Sequence, residues 1–69
     1  MSTVEVLLHK VKHDGGSVVV FEGTVSDEND PGRIVTVTVD HRIAQDLAFM
    51  IDTGDTPLVD AEDWQVSSI

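Results

Sequence analysis

The alternation of apolar and polar residues predicts two neighbouring β-strands near the start of the chain, residues 4–13 and residues 17–25. Between them lie Asp14, Gly15 and Gly16, a turn sequence whose glycines tolerate a positive φ. The two strands and this turn together predict a β-hairpin.

The first of these strands is apolar on both of its faces. Its even positions carry Val4, Val6 and Leu8, and Leu7 and Val11 lie on the other face. Such a pattern is typical of a strand that is covered on both faces, bulged, or paired with a second subunit.

A third strand follows a polar segment. Residues 26–32 combine turn-forming residues with several acids, which predicts a solvated loop that ends in a Pro31-Gly32 turn. Residues 33–40 then alternate regularly, and Val35, Val37 and Val39 share one face. This alternation predicts a half-buried strand.

An amphipathic helix is predicted to begin at His41, where the apolar period lengthens to four residues (Ile43, Leu47, Ile51). Asp40 is placed to cap the amino end, because its carboxylate can accept from the free amides of the first turn. Gly54 suits the left-handed position that follows the last turn.

Residues 58–69 complete the chain as a predicted strand, which gives the order β-β-β-α-β. We therefore expect residues 1–69 to form one α+β domain, a small antiparallel sheet with the amphipathic helix packed on one face. A small open β-barrel with the helix as a plug is the alternative.

The charge is strongly acidic and unevenly placed. Thirteen Asp and Glu stand against four Lys and Arg, for a formal net charge of -9. Residues 1–25 carry three acids and two lysines, whereas residues 26–69 carry ten acids and two arginines. Almost all of the excess charge therefore belongs to the second part of the chain.

The choice of acidic and other residues indicates the salt concentration in which the protein works. Asp outnumbers Glu nine to four, lysine is scarce, and valine and threonine are abundant. This composition resembles that of proteins from extreme halophiles, whose cytoplasm holds molar KCl. In molar salt the Debye length falls to about 3 Å, so repulsion between acids is largely screened. The alternative is an acidic domain of ordinary salt that binds a basic partner.

Size and composition also disfavour several classes of function. The chain is too short for an enzyme with its own cofactor domain, and it has no cysteine for a disulfide or a thiolate zinc site. Four cations are too few to neutralise nucleic-acid phosphates or anionic lipids, so we expect neither partner. No apolar run reaches the ~20 residues of a membrane span, and the first residues lack the basic start of a signal peptide. We expect a cytoplasmic protein.

The titratable residues give no metal or cofactor motif. His9 and His13 would lie roughly 13 Å apart on one strand, too far to share an ion. A calcium loop beginning at Asp27 fails because Pro31 and Thr38 fall where ligands are needed. We therefore expect no metal and no cofactor.

The most distinctive polar group lies at the predicted helix start. Asp40 and His41 pair a carboxylate with an imidazole, and Arg42 adds a guanidinium beside the free amides of the first turn. Such a group can hold an anion or perform acid-base chemistry. The simpler interpretation is that Asp40 caps the helix and His41 is an exposed first-turn residue.

Three further residues are candidates for binding. Lys10 and Lys12 are the only local basic density, and they can bind an anion, pair with an acidic patch of a second subunit, or protect a strand edge from aggregation. Trp64, the sole tryptophan, is either part of the core or an interface residue.

The sequence thus predicts a non-enzymatic protein–protein interaction module, homodimeric or bound to another protein. No catalytic set can be assigned, and a small domain without disulfides commonly gains stability by self-association. The alternative is a small anionic-ligand or catalytic site at the helix start.

Overall fold

The computed structural model describes residues 3–26 and 32–68. Within them the chain forms five strands, one α-helix and a short 3₁₀ helix, in the order β1 (Thr3–Asp14), β2 (Val18–Val25), β3 (Ile34–Asp40), α1 (His41–Asp52), β4 (Leu58–Glu62), the 3₁₀ helix (Asp63–Gln65) and β5 (Val66–Ser68). All paired strands are antiparallel, and they form one sheet in the order β4-β1-β2-β3-β5. The predicted α+β fold, an antiparallel sheet with one helix, is confirmed.

The sheet is a curled half-barrel, because its two outermost strands are joined by a very short connection. In a flat sheet, four strand spacings would separate β4 from β5 by about 19 Å. The four Cα steps from Glu62 to Val66 span at most about 14 Å. The Gln65 side chain helps to close this gap, since its amide nitrogen donates to Thr38 O and its amide oxygen accepts from Glu62 N, both at 3.0 Å.

The core fills the inner face of this curled sheet, and α1 packs against it. In the described residues every buried side chain is apolar, and Phe21 and Leu8 are the largest that are fully enclosed. Val35, Val37 and Val39 all face this core, as the alternation of the third strand predicts. On α1 only Ala44 and Leu47 are buried.

The two-sided pattern of β1 is explained by two breaks in its pairing with β2. The register shifts between Leu8 and Lys10 and again between Val11 and His13. Leu8 and Val11 differ in parity, so in a regular strand they would point to opposite faces. After the first shift Val11 nevertheless lies opposite the core residue Phe21. Bulges therefore keep apolar residues on the inner face and move Lys10 to the outer face.

A glycine is required opposite this bulged strand. Gly23 is buried and pairs with Leu8, and a Cβ built on it would lie 2.3 Å from Leu7 O. Any side chain at this position collides with backbone, which cannot move independently of the sheet.

The helix begins and ends where the sequence predicts. The Asp40 carboxylate accepts from the backbone nitrogen of Arg42 at 2.9 Å, and Asp40 has extended φ and ψ. At the other end Gly54 has φ +94°, and its nitrogen donates to Ile51 O. In the described residues no helix has the length and apolarity needed to cross a membrane.

One prediction about the chain's second half is wrong in detail, and one open alternative is decided. The single strand expected over residues 58–69 is broken into β4 and β5, because the 3₁₀ helix carries the chain from one edge of the sheet to the other. Within the single chain Trp64 is not a core residue, since it lies on that 3₁₀ helix and is 75% exposed. The loop expected at residues 26–32 falls largely on residues 27–31, outside the described residues; Gly32 has φ +83°.

Candidate interaction surface

The face of the sheet opposite the core, here called the outer face, carries a row of three apolar side chains and one threonine that crosses four strands. Cross-strand pairing aligns Leu58 of β4 with Leu7 of β1, Leu7 with Thr24 of β2, and Thr24 with Ile34 of β3. We call these four residues the outer row. Leu58 and Ile34 are 53% and 52% exposed, and Leu7 and Thr24 are half-buried.

Charged residues border the outer row on both sides. On one side Glu5 pairs across the strands with Asp60, so two carboxylates lie next to each other. On the other side Lys10 pairs with Glu22, and Lys10 Nζ lies 3.5 Å from Glu22 Oε2. Lys10 and Glu22 thus form an ion pair across the two strands.

A histidine adds a polar contact inside the row. His9 lies at the first bulge of β1, and its Nε2 is 2.9 Å from Thr24 Oγ1. This contact fixes the Thr24 hydroxyl. His9 and His13 both lie exposed on β1, and the described residues contain no group of three or more His, Asp or Glu placed to hold a metal ion.

The residues of the predicted site at the helix start lie where β3 passes directly into α1. The Asp40 carboxylate takes up the Arg42 amide, one of the donors that a bound anion would need. Arg42 is exposed, whereas His41 is half-buried and lines a small hollow between α1 and the β1–β2 hairpin. Asp40 therefore acts as the helix cap, and His41 belongs to the lining of the neighbouring hollow.

The hollow beside His41 is small and mainly apolar. Its volume is about 110 Å³, and its lining residues are Val11, Asp14, Val19, His41, Ala44, Gln45 and Ala48. Pockets that enclose an ordinary organic ligand measure roughly 300–1,000 Å³. A larger open hollow of about 460 Å³ lies at the start of β1, and its charged lining residues are Glu5 and Asp60.

The two lysines of β1 lie in the half of that strand that β4 does not reach. The β1–β4 pairing ends at Leu7, and beyond it Leu8 N donates to Pro57 O. Lys10 is paired with Glu22 on the outer face, and Lys12 lies exposed at the second bulge. Bulges and lysines are both devices that protect a strand edge, so the edge-protection interpretation fits this location.

Two large aromatic side chains lie away from the core. Trp64 donates its indole N–H to the Glu62 carboxylate, and Phe49 of α1 is 70% exposed. Ile43, which belongs to the apolar period of the predicted helix, is 58% exposed. The helix carries a wider apolar surface than the small half-barrel can cover.

Sequence reasoning missed the outer row as a unit. Leu7 stands out as an apolar residue on the wrong parity of β1, but Thr24, Ile34 and Leu58 carry no such signal. Their alignment depends on strand order and register, which the sequence alone does not specify.

Comparison of the chain with protein-family models, with curated proteins and with solved structures gives no match. The functional inference therefore depends on the surfaces of this chain.

Proposed function

We propose that the protein is a non-enzymatic protein–protein interaction module that forms a homodimer through the outer face of its sheet. The observation that carries this proposal is the outer row, whose aligned side chains, three of them apolar, cross four strands while helix α1 covers only the inner face. An apolar surface of this kind, bordered by charges, is characteristic of association sites.

The size of the domain supports the same function. A chain of 69 residues buries a smaller share of the surface that its unfolded form exposes than a larger domain does, and this one has no disulfide to compensate. Burying the outer row against a second copy would add apolar burial at about 25 cal/mol per Å². Self-association is therefore a source of stability as well as a function.

The charge determines the conditions under which the dimer forms. Two copies bring a formal charge of -18 together, twice the -9 of one chain, and this repulsion is screened only in concentrated salt. We place the protein in the cytoplasm of a halophile, where molar KCl favours both the compact chain and its association.

Sedimentation equilibrium over a range of protein concentrations in molar KCl tests this function. We expect a monomer–dimer equilibrium that weakens as the salt is lowered. Leu7→Thr removes apolar surface from the centre of the outer row and keeps a residue suited to a strand, so it should weaken the dimer. Ile43→Gln is the control, because it removes an exposed aliphatic side chain of the same size from α1, and glutamine suits a helix.

Equal effects of the two substitutions would argue against the outer face as the interface. A folded wild-type chain that stays monomeric at every concentration would contradict the homodimer itself. The fluorescence of Trp64, the single tryptophan, provides a further check: it should not change on dilution, since Trp64 belongs to the 3₁₀ helix and not to the outer row.

The anion-binding alternative at the helix start has weaker support. Asp40 presents its own carboxylate to the first-turn amide, and the hollow beside His41 is too small for most organic anions. Phosphate or sulfate titrated in molar KCl should therefore leave the amide resonances of His41 and Arg42 unchanged.

A further inference from the structure

The pairing of β1 with β2 makes the outer face complementary to itself. When an antiparallel strand pair stacks on a copy of itself about a two-fold axis parallel to the strands, each residue comes to lie over the copy of its own cross-strand neighbour. Lys10 and Glu22 are such neighbours. The attraction within one chain is then repeated between the two chains.

We infer that two copies stack their outer faces about a two-fold axis that runs parallel to β1 and β2 and lies between them, so that Lys10 of each copy faces the partner's Glu22. This inference rests on the proposed function and specifies the geometry of its dimer. The same operation places Leu7 over the partner's Thr24. Every contact of such an isologous interface occurs twice.

Charge distinguishes this arrangement from the other two-fold axis that would stack the faces. An axis perpendicular to the strands and centred on the outer row would place Lys10 over the partner's Glu5. This axis gives two separate clusters, one on each side of the outer row, and each holds one ammonium group and two carboxylates, from Lys10 and Glu22 of one copy and Glu5 of the other. The parallel axis instead gathers Lys10 and Glu22 of both copies in one neutral cluster of two ammonium groups and two carboxylates, and it places Glu5 over Ser26 of the other copy, away from that cluster. Uncompensated buried charge is costly, so the parallel axis is favoured.

The curl of the sheet concentrates the contact near the axis. Leu58 and Ile34 lie one strand further out than Leu7 and Thr24, where the curved faces diverge. The residues of β1 and β2 therefore dominate the interface, and the outermost members of the outer row form its rim.

A mixing experiment tests the inference with Lys10→Glu and Glu22→Lys. Each single variant places like charges at the interface, so each should raise the homodimer dissociation constant by about tenfold or more. An equimolar mixture of the two variants should form heterodimers. The Lys10→Glu chain has glutamate at positions 10 and 22, the Glu22→Lys chain has lysine at both, and in the heterodimer each glutamate faces a lysine. The charges within each chain repel in the homodimer and in the heterodimer alike, so the mixture isolates the contact between chains.

The measurement is sedimentation equilibrium at the lowest KCl concentration at which both variants remain folded by circular dichroism. Heterodimers in the mixture, together with recovery of the homodimer in the double variant Lys10→Glu/Glu22→Lys, support the parallel axis. Heterodimers formed only when Lys10→Glu is mixed with Glu5→Lys would overturn it in favour of the perpendicular axis. A wild-type dimer with no preference in either mixture would overturn the inference and leave the homodimer standing, whereas a monomeric wild type would refute the proposed function itself.

Discussion

The two faces of the sheet differ in composition although they come from the same strands. Facing inward, Val6, Leu8 and Phe21 are completely buried, and no polar side chain among the described residues is buried with them. Facing outward, the outer row alternates with the charges of Glu5, Asp60, Lys10 and Glu22. An inner face of this kind stabilises the fold of a single chain through apolar burial. An outer face with both apolar and charged residues is suited to reversible contact with another molecule.

In the dimer that we propose, one small sheet supports both folding and association. The inner face stabilises the monomer through burial, which is insensitive to protein concentration. The outer face would stabilise only the associated state, so its contribution would depend on protein concentration and, because of the charge, on salt. Substitutions on the two faces should therefore be separable by these two dependences.

The largest expected effect belongs to the inner face. Phe21→Ala should lower the free energy of unfolding by about 3–5 kcal/mol, because it opens a cavity among fully enclosed neighbours. The loss should be the same at low and high protein concentration in urea titrations in molar KCl. Phe21→Leu is the milder companion, expected to cost roughly 1.5 kcal/mol, and it keeps the measurement possible if the alanine variant does not fold. If the loss in free energy of unfolding disappeared when the protein was diluted, the inner face would contribute to association as well, and the two faces would not have separate roles.

The next effect tests the bulge that moves Lys10 to the outer face. Gly23→Ala should cost roughly 3 kcal/mol, because its Cβ meets the carbonyl oxygen of Leu7. Gly16→Ala is the control: it has open space but φ +89°, so only conformational strain of about 1–2 kcal/mol applies. Thermal unfolding of the two variants in the same buffer gives the comparison. If Gly23→Ala lowers the melting temperature less than Gly16→Ala does, β1 and β2 do not approach each other as closely at Gly23 as the structure shows.

A smaller effect concerns the closure that bends the outer face. Gln65→Leu leaves Glu62 N and Thr38 O without partners and should cost about 1–3 kcal/mol. Gln65→Glu keeps an acceptor for Glu62 N but replaces the donor to Thr38 O, so its effect should be at least as large at neutral pH. Both can be measured by chemical unfolding, and amide exchange at Glu62 should become faster. Unchanged exchange in both variants would show that the side chain does not hold the edges together.

The smallest expected effect lies at the helix start. Asp40→Ala should cost about 1 kcal/mol through loss of the cap, whereas Asp40→Asn should cost only a few tenths because asparagine caps equally well. Neither substitution should change the dimer dissociation constant in molar KCl. A large change in the dimer dissociation constant would indicate that the interface lies near α1 and not at the centre of the outer face.

The sequence reveals the local features well. The alternation of Val35, Val37 and Val39 predicts the buried face of β3, and Asp40 and Gly54 mark the ends of α1 because caps depend on adjacent residues. These features follow from short-range periodicity and hydrogen bonding, which one sequence contains.

The long-range features are hidden from it. The bulge in β1 reverses the parity of Lys10, and the alignment of Leu58 with Leu7 depends on which strands become neighbours. Trp64 lies on the surface because the chain must cross from β4 to β5 within three residues. Each of these features is set by register and curvature across the sheet, and both are tertiary properties.

We propose that the inner face stabilises the monomer and that the outer face forms the dimer. Amide chemical shifts of the isotope-labelled protein, recorded over a dilution series in molar KCl, test it most directly. We predict concentration-dependent shifts that cluster at Leu7, Lys10, Glu22 and Thr24, with the amides of α1 unchanged. Shifts that cluster instead around Phe49 or Trp64, or spectra that do not change with concentration, would contradict it.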